Sequence, residues 1–167
     1  IAPKGTWAVP DGVTVDLSEK TSAHREEDSM VPQFAAANGV VYFFQDDGIH
    51  GRELWRTDGT ALGTSMVRDV CPGLCGAELG DSQFALAAVG GMVFFAANDG
   101  VHGAEVWVTD GTASGTVMVL DVKPGARSSR PTNFLAASGQ ILFSADDGVH
   151  GSEIWRSDGT PQGTWLI

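Results

Sequence analysis

The sequence predicts an all-β chain made of three four-stranded antiparallel repeats of propeller-blade type, and three observations carry that prediction. A fifteen-residue line, DDGIHGRELWRTDGT at Asp46 to Thr60, returns as NDGVHGAEVWVTDGT at Asn98 to Thr112 and as DDGVHGSEIWRSDGT at Asp146 to Thr160. His50, His102 and His150 stand 52 and then 48 residues apart, and Trp55, Trp107 and Trp155 keep those spacings. The remaining chain is short apolar runs between turns, with 22 glycines and 7 prolines and no sustained helical periodicity. A period of about 50 residues holding four strands fits one blade of a propeller.

Each repeat opens on a short apolar segment, Phe34 to Ala37, Phe84 to Ala88 and Phe134 to Ala137, closed by Asn38-Gly39, Gly90-Gly91 or Ser138-Gly139. The second segment is the most apolar: Val40 to Phe44, Met92 to Ala96 and Ile141 to Ala145. β-Branched and aromatic residues at adjacent positions suit a strand buried on both faces. An acidic Gly turn leads to the third segment, Glu53 to Arg56, Glu105 to Val108 and Glu153 to Arg156, where alternation puts Glu and Trp on one face and the aliphatic residue on the other. Asp-Gly then supplies the positive φ of a tight hairpin turn. The fourth segment is Met66 to Val70, Met118 to Val122 and Trp165 to Ile167, and Pro72-Gly73 and Pro124-Gly125 punctuate the joins.

These boundaries divide the chain into an N-terminal segment, 1–31, and three repeats at about 32–80, 81–129 and 130–167. The first segment carries Gly5-Thr6-Trp7-Ala8-Val9, which resembles Gly163 to Ile167, and an alternating run at Val13 to Leu17. It is therefore expected to supply a blade-completing strand, followed by a solvated loop at His24 to Asp28. Three blades do not close a ring, because closed propellers use roughly 4 to 8. A homo-oligomer, or a place in a larger assembly, follows as the expected partner arrangement. The alternative is a closed monomer of β-trefoil-like or β-prism-like form. The chain opens at Ile1 rather than at methionine, so a removed leader or a longer parent polypeptide is expected.

The motif Glu53-Leu54-Trp55-Arg56-Thr57-Asp58-Gly59-Thr60 resembles the ELWxxDGT repeat, found in bacterial and often secreted proteins. The other two copies exchange Leu54 for Val106 or Ile154 and continue, like the first, as DGTxxGT. The resemblance covers roughly residues 32–167. It implies repeated β units and a location outside the cytoplasm (secreted, periplasmic or on the cell surface), and no particular reaction.

Charge and motif content narrow the function classes. With 21 acidic and 10 basic residues the net charge is −11, which repels polyphosphates and argues against nucleic acid. No apolar run approaches the roughly 20 residues of a membrane-spanning helix. There is no phosphate loop, G-x-S-x-G elbow or H-E-x-x-H pair, and an asymmetric catalytic site is not expected from residues that recur three times. The leading expectation is a non-enzymatic interaction or scaffold module, with a glycan-binding lectin as the alternative. For a lectin, Trp55, Trp107 and Trp155 would stack on sugars, with His50, His102 and His150 beside them; the competing role of these tryptophans is packing between blades. Each His stands three residues before a Glu, a pairing that offers a metal site or, more simply, a turn cap and a partner for backbone amides. Asp46, Asp47, Asp99, Asp146 and Asp147 provide oxygen ligands of the kind calcium takes, without the spacing of a loop that wraps the ion. No cofactor is otherwise expected. Cys71 and Cys75, in Cys71-Pro72-Gly73-Leu74-Cys75, are expected to form a local disulfide in an oxidising compartment.

Overall fold

The structure is a computed structural model that describes residues 34–73 and 86–167. The expected features of residues 1–31, and Cys75, lie outside the described residues. Twelve strands and no helix are present among them. They form three separate sheets, each a four-stranded antiparallel meander in sequence order. The first holds β1 (Ala35–Ala37), β2 (Val40–Asp46), β3 (Arg52–Thr57) and β4 (Ser65–Arg68). The second holds β5 (Leu86–Val89), β6 (Met92–Asn98), β7 (Ala104–Thr109) and β8 (Val117–Leu120). The third holds β9 (Thr132–Ala137), β10 (Gln140–Asp146), β11 (Ser152–Ser157) and β12 (Trp165–Leu166).

The register repeats with the sequence. Phe43 stands opposite Trp55, Phe95 opposite Trp107 and Phe143 opposite Trp155. These pairs put one aromatic face on each sheet, since neighbours across an antiparallel ladder share a face. The Phe143 and Trp155 rings stack with centroids 6.5 Å apart.

The sheets pack face on face. Val93, Phe95, Ala97 and Trp107 of the second sheet form one core with Tyr42, Leu54 and Val67 of the first. Phe94, Val106 and Val108, on the other face, form a second core with Ile141, Phe143, Ala145 and Trp155 of the third. The middle sheet is thus covered on both sides, and every residue of β7 is buried. β1 lies against β5, and β5 against β9. Face-on-face stacking with the first strands adjacent is not the single barrel of a trefoil, nor the one shared core of a prism.

Most strand ends fall within one or two residues of those the sequence predicts, and the fourth strands and their pairing show why some differ. The fourth strands stop at Arg68 and Leu120, short of Val70 and Val122, because the Val122 amide donates to the Glu105 carboxylate instead of to a strand. The third and fourth strands also slip register at Leu54/Trp55 and at Val106/Trp107, where a bulge steps the chain out of the ladder.

Candidate functional site

The recurring polar residues fall into three local networks, each built by its own stretch of chain. In the first, Asp47 Oδ1 accepts the amides of Ile49 and His50, and Asp47 Oδ2 lies 2.7 Å from His50 Nδ1. Asp99 with His102, and Asp147 with His150, reproduce the arrangement at the same 2.7 Å. Histidine therefore partners the turn aspartate, not the glutamate three residues on. Amide and ring donors hold Asp47 and Asp147 down to about 2. Asp99 is also lowered: burial opposes the shift, and the His102 amide and ring outweigh it. The hydrogen bond to aspartate raises all three histidines.

The calcium-candidate oxygens belong to the same turns. Asp46 Oδ1 accepts the Gly48 amide, and Asp146 accepts the Gly148 amide on Oδ1 and the Lys123 ammonium on Oδ2. Among the described residues no group of three or more His, Cys, Asp or Glu is placed to hold a metal.

The second network uses the glutamates as clasps. Glu105, fully buried, accepts the Val122 amide at 3.0 Å, the Ser129 amide at 2.9 Å and the Ser129 hydroxyl at 2.6 Å. It ties the segment leaving β8 to the segment entering β9. Glu53 is equally buried and accepts the Cys71 amide at 3.2 Å. Burial pushes both carboxyls up to about 7, against the lowering effect of their donors. Glu153, at the same position in the third sheet, is exposed.

The third network is the DGTxxGT turn. Asp58 Oδ1 accepts the Thr60 amide and hydroxyl, Thr60 Oγ1 accepts the Gly63 amide, and the Thr64 hydroxyl donates to the Thr60 carbonyl. A Cβ on Gly63 would collide with the Asp58 carboxylate, so only glycine fits. The network recurs at Asp110 to Thr116 and at Asp158 to Thr164.

Trp107 and Trp155 lie between sheets, and Trp55 stands on the outward face of the first. Trp107 and Trp155 are buried, the latter donating its indole N–H to the Ala145 carbonyl at 3.2 Å, and Trp55 is half-buried. Cys71 is buried, and no described cysteine is free.

What these networks leave open is a pair of sheet faces, which sequence reasoning did not single out. The third sheet turns Leu135 and Ile154 to solvent, and Val41 is exposed on the first. A signal was present: Ile154 is as apolar as Leu54 and Val106 at the same repeat position, so a buried partner is expected for it as well. No protein-family model matches the chain, and no curated protein does either.

Proposed function

We infer that the chain works as an interaction module rather than as an enzyme, located outside the cytoplasm, and that it acts by assembling with itself or within a larger complex. Its likeness to the ELWxxDGT repeat and a Cys71–Cys75 disulfide belong to the same reading, since both suit an oxidising compartment. The observation that carries it is the contrast in coverage: the middle sheet has an apolar partner on each face, while the third sheet exposes Leu135 and Ile154. Apolar sheet faces open to water mark contact surfaces. The turn aspartates and Glu105 support the same reading from the other side, because the aspartates accept turn amides and Glu105 closes a clasp. Glycan binding is less well supported, since stacking on a sugar needs open indole faces and Trp107 and Trp155 are buried.

Size-exclusion chromatography with light scattering tests the reading. The expected mass is a multiple of the 17.5 kDa chain, unchanged by a chelator. A single-chain mass across micromolar concentrations would remove the self-assembly half of it.

A further inference from the structure

The two internal seams follow one rule, and the outer faces carry both halves of a third. At the first seam Tyr42 closes over Gly111, where a Cβ would strike its hydroxyl, and Arg56 Nη1 donates to the Gly111 carbonyl at 2.8 Å. At the second seam Met92 and Phe94 close over Gly159, 3.2 and 3.4 Å from where its Cβ would stand. Each sheet thus covers the Asp-Gly-Thr turn of the next with the side chain at one fixed strand position, Tyr42 or Phe94. The equivalent residue of the third sheet is Leu142. The equivalent turn of the first sheet is at Gly59, and among the described residues nothing lies within 4 Å of its Cβ position.

Neighbouring positions agree. Leu54 and Val106 are 1% and 0% exposed beneath the next sheet, whereas Ile154 is 56% exposed. Arg156 matches Arg56 but has no carbonyl of a following sheet to reach. Its guanidinium lies 3.9 Å over the Trp165 ring, and its Nε has no hydrogen-bond partner among the described residues. On the other side, Val41 is exposed where Val93 and Ile141 are fully buried.

Resting on the self-assembly reading above, we propose that the outward face of the third sheet, through Leu142, Ile154 and Arg156, docks on the outward face of the first sheet of a second copy, around Val41, Trp55 and Gly59. The occupant is a second copy because the residues missing from each open face are those the other open face presents. Leu142 covers Gly59, and Arg156 donates to the Gly59 carbonyl as Arg56 does to that of Gly111. The contact is heterologous, so it propagates until it closes. Two three-sheet arcs bring six sheets together, within the roughly 4 to 8 of closed propellers.

The test is the native mass of the full chain and of Ile154→Asp and Val41→Asp, alone and mixed, with far-UV circular dichroism and thermal melts of each. The expected result is a wild-type dimer, each variant alone at half that mass with an unchanged spectrum, and return of the dimer on mixing. Mixing pairs the intact third sheet of one variant with the intact first sheet of the other. A wild-type dimer that survives both substitutions overturns these faces while self-assembly stands. If one variant alone keeps the wild-type mass while the other is single, like faces meet; that result, or variants that stay single after mixing, overturns the head-to-tail seam. A wild-type monomer in which Val41→Asp lowers the melting temperature places another segment of the same chain over the first sheet. That result overturns this seam and the self-assembly reading together.

Discussion

The middle and third sheets have nearly the same sequence and different surroundings, and the difference separates what a repeat needs for itself from what it lends its neighbours. The Asp-His turn and the Asp-Gly-Thr turn are identical in both, to within a tenth of an ångström in the His–Asp distance. Those are internal needs. Val106 and Glu105 are sealed, whereas Ile154 and Glu153 are exposed. Those residues serve the join to the next sheet, and their burial exists only where a next sheet does.

The largest effect expected from this contrast is at the aliphatic position. Val106→Asp places a carboxylate between two sheets with nothing to solvate it and should cost at least about 4 kcal/mol, enough to unfold the chain. Ile154→Asp should change the stability of the isolated chain by less than about 1 kcal/mol, because an exposed side chain loses little packing. Urea melts of the two variants at low protein concentration measure the difference. Equal losses would show that the third sheet is covered as the second is.

Next comes the clasp. Glu105 holds its proton up to about 7, well above the ordinary range near 4.3 of an unfolded chain. The raised value favours the folded state fully below the unfolded pKa, and that advantage is lost as pH rises through the folded one. A gap of that size is worth roughly 4 kcal/mol. Glu53 shifts the same way, and so do the raised histidines at higher pH. Asp47 and Asp147 act oppositely: their contribution is complete above the unfolded carboxylate range and lost as pH falls towards about 2. The melting temperature should therefore peak near about pH 5 and fall towards pH 8. Glu105→Gln should flatten that fall and lower the peak by about 1–3 kcal/mol, because an amide sets a donor against the donors of Val122 and Ser129. Glu153→Gln should leave the profile unchanged. A profile that rises towards pH 8 would mean the clasp is charged at no cost.

Much of this arrangement was legible in the sequence, and the parts that were not share one physical reason. Strand order, the Asp-Gly turns and the Phe–Trp faces follow from period-two alternation and turn chemistry, which act within one repeat. The all-β class and the three sheets accordingly stand as read. The fourth strands were read too long because Val70 and Val122 look like strand residues, and nothing local reveals that a buried glutamate takes the Val122 amide. The partner of each histidine was equally open, since Asp and Glu lie at equal sequence distance on either side. What decided it was the turn, which brings Asp47 Oδ2 to the ring while β3 carries Glu53 into the core. The open faces at Ile154 and Val41 depend on which sheets are neighbours, and no single repeat encodes that.

The smallest expected effect sharpens the comparison from the side where the two sheets agree. The Asp–His contacts are 2.7 Å in both, and each is an exposed or half-exposed pair within one turn. Such pairs contribute little through charge, but the aspartate also accepts two turn amides in each sheet. Removing the ring should then cost less than removing the carboxylate: His150→Ala should barely move the melting temperature, and Asp147→Ala should lower it clearly through the orphaned amides. The same substitutions at His102 and Asp99 should give the same order and nearly the same sizes, since the networks are internal to the turn. Melting the four variants at pH 7 checks it. If the Asp99 and His102 variants lose several times what the Asp147 and His150 variants lose, the turn is also held by the neighbouring sheet, and the division between what a repeat needs and what it lends would have to be redrawn at this loop.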